Sequence, residues 1–317
     1  MLFLFLGNHE SVPVCSFPPI GDDENMIGEK YSNRWVYNLV ADVLGQDLPP
    51  EAIRTLRYGG YYMMQIKPGF RLLNINTNFC DRLNLWNLYK PIDIGGQLKW
   101  LADQLYAAEQ AGDRVHIHGH IPPDNHHCNQ AWLYNYVRIV QRFNQTILAQ
   151  YFGHTHQDEF RVYYWPLKMS GDSGGGISTS KHVSSKDNPT PISVAYIGGS
   201  ISNYIDNNSN YRLYHIDREN FVMKNYETFY FNLTEANIDE HGKPNWKLCY
   251  KAVEAFDLPD MSAQSWHNFL TKLHNDENDL FDQFRNLYYR NSDRQWNVTC
   301  RGKCKSNMLN VFQIKKI

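Results

Sequence analysis

The sequence predicts an α/β fold with a helical tail, and three observations carry the prediction. Apolar runs end in a glycine followed at once by metal-type residues in MLFLFL-Gly7-Asn8-His9-Glu10, in VHIH-Gly119-His120 and in ILAQYF-Gly153-His154-Thr155-His156. Segments with helical rhythm alternate with short β-branched and aromatic runs through most of the chain. Beyond Asp217 the pattern turns helical and aromatic. A glycine at a strand end lets the backbone turn sharply and aim imidazoles into one cleft. An α/β scaffold gathers a site from distant sequence in this way, by placing ligands at the ends of several strands.

Taken in order, MLFLFL is too short and lacks the basic start of a signal peptide, so it reads as a buried central strand. Residues 30–57 show a helical rhythm through Trp35, Leu39 and Val43, and 61–66 and 70–76 read as strands. Residues 95–109 form the clearest amphipathic helix, with Leu98, Leu101, Leu105 and Ala108 on one face, and feed a strand over 114–118. A second helix over 131–144 leads to the strand that presents His154, and strands over 159–165, 192–197 and 211–216 complete a mostly β second layer. Between Pro166 and Pro191 the composition shifts to Ser, Gly, Lys and Asp, which predicts a mobile surface loop. Helices are expected over 262–274 and 278–290, and the domain boundary at 217/218, giving domains 1–217 and 218–317.

With 317 residues, 42% of them hydrophobic, and a net charge of −2, the chain can bury a substantial core and has no basic excess for nucleic acid. No stretch approaches the roughly twenty apolar residues of a membrane span. The aromatic share of 14% suits either core packing or a partly apolar groove. Taken singly, Asn-His-Glu reads more often as a turn, and Gly-His-Thr-His reads equally as a tight loop whose alternating histidines suit two neighbouring ions or as a solvated loop; together they point to a metal site. His116 and His118 alternate along a strand and read as packing or supporting residues. Sequons at Asn144, Asn207, Asn232 and Asn297 agree with a glycosylated secretory ancestry.

The order Gly-Asn-His-Glu, Gly-His, Gly-His-Thr-His resembles the later motifs of calcineurin-like metallophosphoesterases. The flanking GNHESVPVCSFPP, RTLRYGGYYMMQIKPGFRLLNINTNFC, HGHIPP, YFGHTHQDEF and AWxxxYxRIVxRF are similar to acid sphingomyelinase and its close relatives, from the first residue to about Cys304. The resemblance implies a partial two-sheet β-sandwich flanked by helices, with a small C-terminal helical subdomain. It implies that Asn8, His120 and His154 ligate one zinc and that His156 reaches toward a second. It makes His9 the residue that steadies the phosphoryl oxygens and protonates the departing alkoxide, with Glu10 orienting the loop. The reaction so implied is two-zinc, in-line hydrolysis of sphingomyelin to ceramide and phosphocholine, on a sphingolipid at a membrane surface.

Tyr204, in SISNYIDNNSNYR, aligns with an aromatic near the family's phosphocholine site, where a ring face can hold a quaternary ammonium; core packing is the other reading. Cys80 with Cys128, and Cys300 with Cys304, resemble family disulfides, while Cys15 and Cys249 have no evident partners. These cysteines imply an extracellular or lysosomal setting, although no signal peptide is seen. The family's earlier Asp-x-His and Gly-Asp strand ends have no room in the six residues before Gly7. With neutral ligands alone, at most one zinc is expected, and that one weakly. Two other functions therefore stay in view: a non-catalytic remnant that binds lipid or a partner, and a nucleotide phosphodiesterase of the same superfamily.

Overall fold

The computed structural model describes residues 3–21, 28–45, 47–168, 188–276, 279–296 and 298–316. Most of the loop expected between Pro166 and Pro191 lies outside the described residues, as does the sequon residue Asn297. The chain divides into two compact units, 1–154 and 155–317.

In the first unit, β1 (Tyr62–Lys67) and β2 (Phe70–Asn74) form an antiparallel hairpin, and β2, β3 (Arg114–His118) and β4 (Ile147–Phe152) run parallel in that order. The helices are α1 (Arg34–Leu44), α2 (Pro50–Gly59), α3 (Gln97–Ala111) and α4 (Gln130–Arg142). Because α3 lies between β2 and β3 in sequence, and α4 between β3 and β4, each helix serves as the crossover that a parallel pair requires. Parallel strands bring their carboxyl ends to one edge, and Gly119-His120 and Gly153-His154 emerge there. As expected, α3 buries Leu98, Leu101, Leu105 and Ala108; it stops at Gly112, whose φ of 71° lets its N–H reach back to the carbonyls of Ala108 and Glu109. Asn129 caps α4 by accepting from the Trp132 N–H, and Trp132 stacks on Tyr136 with ring centroids 5.1 Å apart.

Two expectations about this unit are corrected. The run MLFLFL is not a strand over its described residues 3–6. Its carbonyls are taken by side chains instead: the Leu4 oxygen accepts from Tyr62 Oη at 3.1 Å and Asn74 Nδ2 at 2.6 Å, and the Leu6 oxygen from Asn78 Nδ2 at 3.0 Å. Leu6 is buried all the same, in a cluster with Phe17, Ile20, Tyr37 and Phe79. The second correction concerns α1. Trp35, Leu39 and Val43 are 52%, 56% and 64% exposed, while Val36, Tyr37, Ala41 and Leu44 face inward. This helix is apolar on more than one side, and the small Ala41 shares a cluster with Ala52 and Leu56 of α2, so close packing decides which stripe is buried.

In the second unit, β5 (Glu159–Lys168) pairs antiparallel with β6 (Thr190–Ile197) and parallel with the last strand of the chain, while β7 (Asn210–Ile216), β8 (Met223–Tyr230) and β9 (Lys247–Lys251) form an antiparallel sheet. The remaining elements are helices α5 (Leu233–Ile238), α6 (Ala252–Phe256), α7 (Ala263–Asn275), α8 (Asp279–Tyr288), α9 (Asp293–Trp296) and α10 (Lys303–Val311), and that last strand, β10 (Gln313–Lys316). The region beyond Asp217 has the expected helices at α7 and α8, and it adds the strands β8, β9 and β10. In β8 alternate residues Tyr226, Thr228 and Tyr230 turn inward, a strand period. Position 217/218 falls in the turn between β7 and β8, where the Asp217 N–H donates to the Val222 carbonyl, so a cut there would part paired strands. Phe160, Phe256, Trp266, Phe269, Phe284 and Phe312 pack ring against ring as the core of this unit.

Candidate metal centre

The site in the first unit starts from a tight turn. The Glu10 N–H points back to the Gly7 carbonyl at 3.5 Å, and the Cys15 N–H closes the following loop on the Asn8 carbonyl at 2.9 Å. A Cβ on Gly7 would lie 2.7 Å from Glu10 Oε2 and 3.2 Å from His120 Nε2, so a side chain here would crowd the imidazole and the carboxylate. At the end of β3, a Cβ on Gly119 would lie 2.9 Å from Phe152 and 3.0 Å from Thr77. The next turn is held by Thr77 Oγ1, which accepts from the N–H groups of His120 at 3.2 Å and Ile121 at 2.7 Å. At the end of β4, His154 takes a left-handed φ of 71°.

These three turns converge. Asn8 Oδ1 lies 3.0 Å from His120 Nε2 and 3.2 Å from His154 Nδ1, and the two imidazoles meet edge to face at 5.2 Å. Donor atoms on one tetrahedral zinc, each at roughly 2.0–2.1 Å, sit about 3.3 Å apart, so the separations to Asn8 fit a shared ion. The set is one amide oxygen and two imidazole nitrogens, all neutral ligands. Among the described residues no group of three His, Cys, Asp or Glu side chains is placed to hold a metal. Asn8 is buried, whereas His9 and Glu10 are exposed beside it.

Sequence reasoning passed over His127. Its ring stands edge to face against His154 at 5.0 Å, and its Nδ1 lies 2.8 Å from Oδ1 of Asp124, a fully buried carboxylate that also accepts the N–H groups of His126 and His127. The available signal was the run Asp124-Asn125-His126-His127 ending at Cys128, whose disulfide to Cys80 draws the loop back. His116 is buried between Phe70 and Tyr151, and His118 packs edge-on to Tyr151, so both support β3 as expected. Burial, with His116 adding to it, pushes the His118 pKa down to about 3. Burial pushes the Cys15 thiol up.

His156 belongs to the second unit. It too is left-handed, at φ 60°, and its Nδ1 lies 3.3 Å from the Tyr204 carbonyl with the two rings edge to face at 5.6 Å. The His156 carbonyl accepts from Arg290 Nη2 at 2.9 Å; the same fully buried guanidinium serves the carbonyls of Asn208 at 2.7 Å and Tyr288 at 3.3 Å. Tyr204 is 68% exposed and is not a core residue. Cys300 and Cys304 form the second disulfide, and Cys15 and Cys249 carry free thiols. Of the sequon residues, Asn144 is half-buried, Asn207 is 1% exposed, and Asn232 caps α5 by accepting from the Glu235 N–H.

Residues 1–158 match the calcineurin-like phosphoesterase family model, and residues 190–316 match that of the acid sphingomyelin phosphodiesterase C-terminal region. The chain belongs to the acid sphingomyelinase family of calcineurin-like phosphoesterases. It is 42% identical to human sphingomyelin phosphodiesterase over 289 residues, covering 90% of this chain and 41% of that protein. Sphingomyelin phosphodiesterase 1 of Caenorhabditis elegans is 33% identical, with 97% of this chain and 50% of the relative covered. Human acid sphingomyelinase-like phosphodiesterase 3b is 30% identical over 88% of this chain and 58% of its own length. The chain thus spans roughly half the length of these curated relatives, or somewhat less or more. Membership in the phosphoesterase family implies divalent metals, and the site described above supplies side chains of the right chemistry for one. No described helix is long and apolar enough to cross a membrane.

Proposed function

We propose that this chain carries the sphingomyelinase-type phosphodiesterase function, splitting sphingomyelin into ceramide and phosphocholine. The observation that carries the reading is the convergence of Asn8, His120 and His154, from three separated strand-end or turn segments, on separations of 3.0 and 3.2 Å. These residues would hold a zinc ion. Zinc supplies Lewis-acid polarisation of a phosphoryl oxygen and a more acidic water. His9, exposed next to Asn8, is free to follow the leaving group and hand its proton to the ceramide alkoxide. Tyr204 presents an exposed aromatic face suited to a quaternary ammonium. Two disulfides, Cys80–Cys128 and Cys300–Cys304, support a lysosomal or extracellular setting, with the lipid met at a membrane surface.

Turnover of sphingomyelin and ATP, measured side by side with added zinc, tests this. Sphingomyelin is the expected substrate, and His9→Ala should lower its turnover by about 10²-fold or more while leaving bound zinc unchanged. Preference for ATP would move the assignment to nucleotide hydrolysis. A second reading, a binding remnant without turnover, is favoured by one observation: Asn8, His120 and His154 bring no negative charge to the ion. Zinc uptake without hydrolysis of either substrate would establish it.

A further inference from the structure

The carboxamide of Asn8 can serve a metal only if its oxygen, and not its NH₂, faces His120 and His154, because an amide nitrogen donates protons and offers no lone pair. Something must therefore choose between the two orientations of a nearly symmetric group. Cys15 Sγ lies 3.5 Å from Asn8 Nδ2, on the side of the amide away from the imidazoles and within reach of an N–H···S hydrogen bond. The Cys15 N–H donates to the Asn8 carbonyl at 2.9 Å, so residue 15 grips residue 8 through main chain and side chain alike. Both side chains are buried, 6% and 7% exposed. Cys15 also holds a left-handed φ of 61°, a conformation in which cysteine is unusual and asparagine or glycine common. Behind the sulfur stands the buried carboxylate of Asp81, next in sequence to the Cys80–Cys128 bridge.

We propose that Cys15 is a positioning residue for the metal-facing amide: its sulfur accepts the Asn8 Nδ2–H and so turns Oδ1 toward His120 and His154. The role rests on the metal reading of Asn8 given above. Simple packing would require volume at this position; the proposed role requires an acceptor. Cys15→Ser keeps an acceptor in less volume, whereas Cys15→Ala keeps the backbone demand and removes the acceptor.

Two readouts on the full chain separate these roles. In ¹H–¹⁵N spectra of the metal-free protein, the Asn8 side-chain amide pair, assigned by its loss in Asn8→Asp, should be shifted and slow to exchange. That signature should survive Cys15→Ser and vanish in Cys15→Ala. In Co²⁺ titrations Cys15→Ala should raise Kd by about tenfold or more, and Cys15→Ser should stay within about threefold. Should Cys15→Ala not fold, Cys15→Gly, which is relaxed at this φ, carries the same test. An unchanged amide signature in the acceptor-free variant overturns the proposal, as does equal loss of the signature in Ser and Ala. If the unaltered chain takes up no Co²⁺, the metal reading of Asn8 fails, while the amide signature still decides the role of Cys15.

Discussion

At the scale of single residues, some of the most constrained groups are disguised by their sequence surroundings. Arg290 looks like a solvated charge near the end of a helix, yet its fork feeds the carbonyls of His156, Asn208 and Tyr288 from a fully buried position. A lysine cannot present that planar fork, and a methionine leaves all three carbonyls without this donor. Arg290→Lys and Arg290→Met should each lower stability by about 3 kcal/mol, read as a drop in urea midpoint. A conservative response to lysine would show that charge alone suffices. His127 was hidden for a related reason: Asp-Asn-His-His reads as a polar loop, and only the fold places it against His154. The three segments that bring Asn8, His120 and His154 together could be picked out in the sequence, because a glycine closing an apolar run and followed by a metal-type side chain is a local pattern.

His118 gives this scale a pH dependence. Its folded pKa, about 3, lies below the value near 6.5 of an unfolded histidine. Above pH 6.5 both states are neutral and the stabilisation is complete. As pH falls below that, the unfolded chain gains a proton that the folded chain refuses, and stability declines by up to about 1.4 kcal/mol per pH unit until the folded pKa is reached. The urea midpoint should therefore drop between pH 7 and pH 5, and His118→Phe should flatten part of that slope. Equal slopes in the two proteins would remove His118 as the source.

At the scale of elements, hydropathy periods were reliable where one face alone was apolar. The stripe Leu98, Leu101, Leu105 and Ala108 is buried as its spacing predicts. They failed where two faces were apolar, as in α1, and where ladder bonds were replaced by side chains, as at Leu4 and Leu6. Neither circumstance leaves a trace in the order of apolar residues. The tightest joint between element and site is the end of β3. Gly119→Ala would press a methyl group against Phe152, Thr77 and Ile75, at 2.9, 3.0 and 3.2 Å. It should cost about 1–3 kcal/mol and displace the His120 turn that Thr77 holds, seen as weaker Zn²⁺ binding by calorimetry. Unchanged binding in a folded Gly119→Ala protein would show that the turn absorbs the strain.

At the scale of the whole molecule, the charge of the ligand set governs metal content. If Asn8, His120 and His154 hold the metal as proposed, they do so as neutral donors, and a second divalent ion close to the first would meet little to offset their repulsion. Protein of residues 1–317 equilibrated with zinc and desalted should retain at most one ion per chain by mass spectrometry. Two retained ions would mean that carboxylates of this chain, Glu10 among the nearest, take part. How the chain divides was only partly legible from sequence. The expected boundary followed the change to aromatic, helix-like text after Asp217, but β7 and β8 pair across that point through side chains that alternate inward and outward.

The aromatic core of the second unit has an optical consequence. Trp266 is wholly buried and ringed by Phe160, Phe256 and Phe269, while the first unit keeps its own sealed indole in Trp132, stacked on Tyr136. Each half thus contains a natural emission probe in a dry cage, one that reddens when its surroundings open to water. With Trp132 or Trp266 exchanged in turn for phenylalanine, the difference from the unaltered emission isolates that one indole among the eight of the chain, and two difference traces that superimpose during denaturation would reveal that both halves melt as one cooperative body.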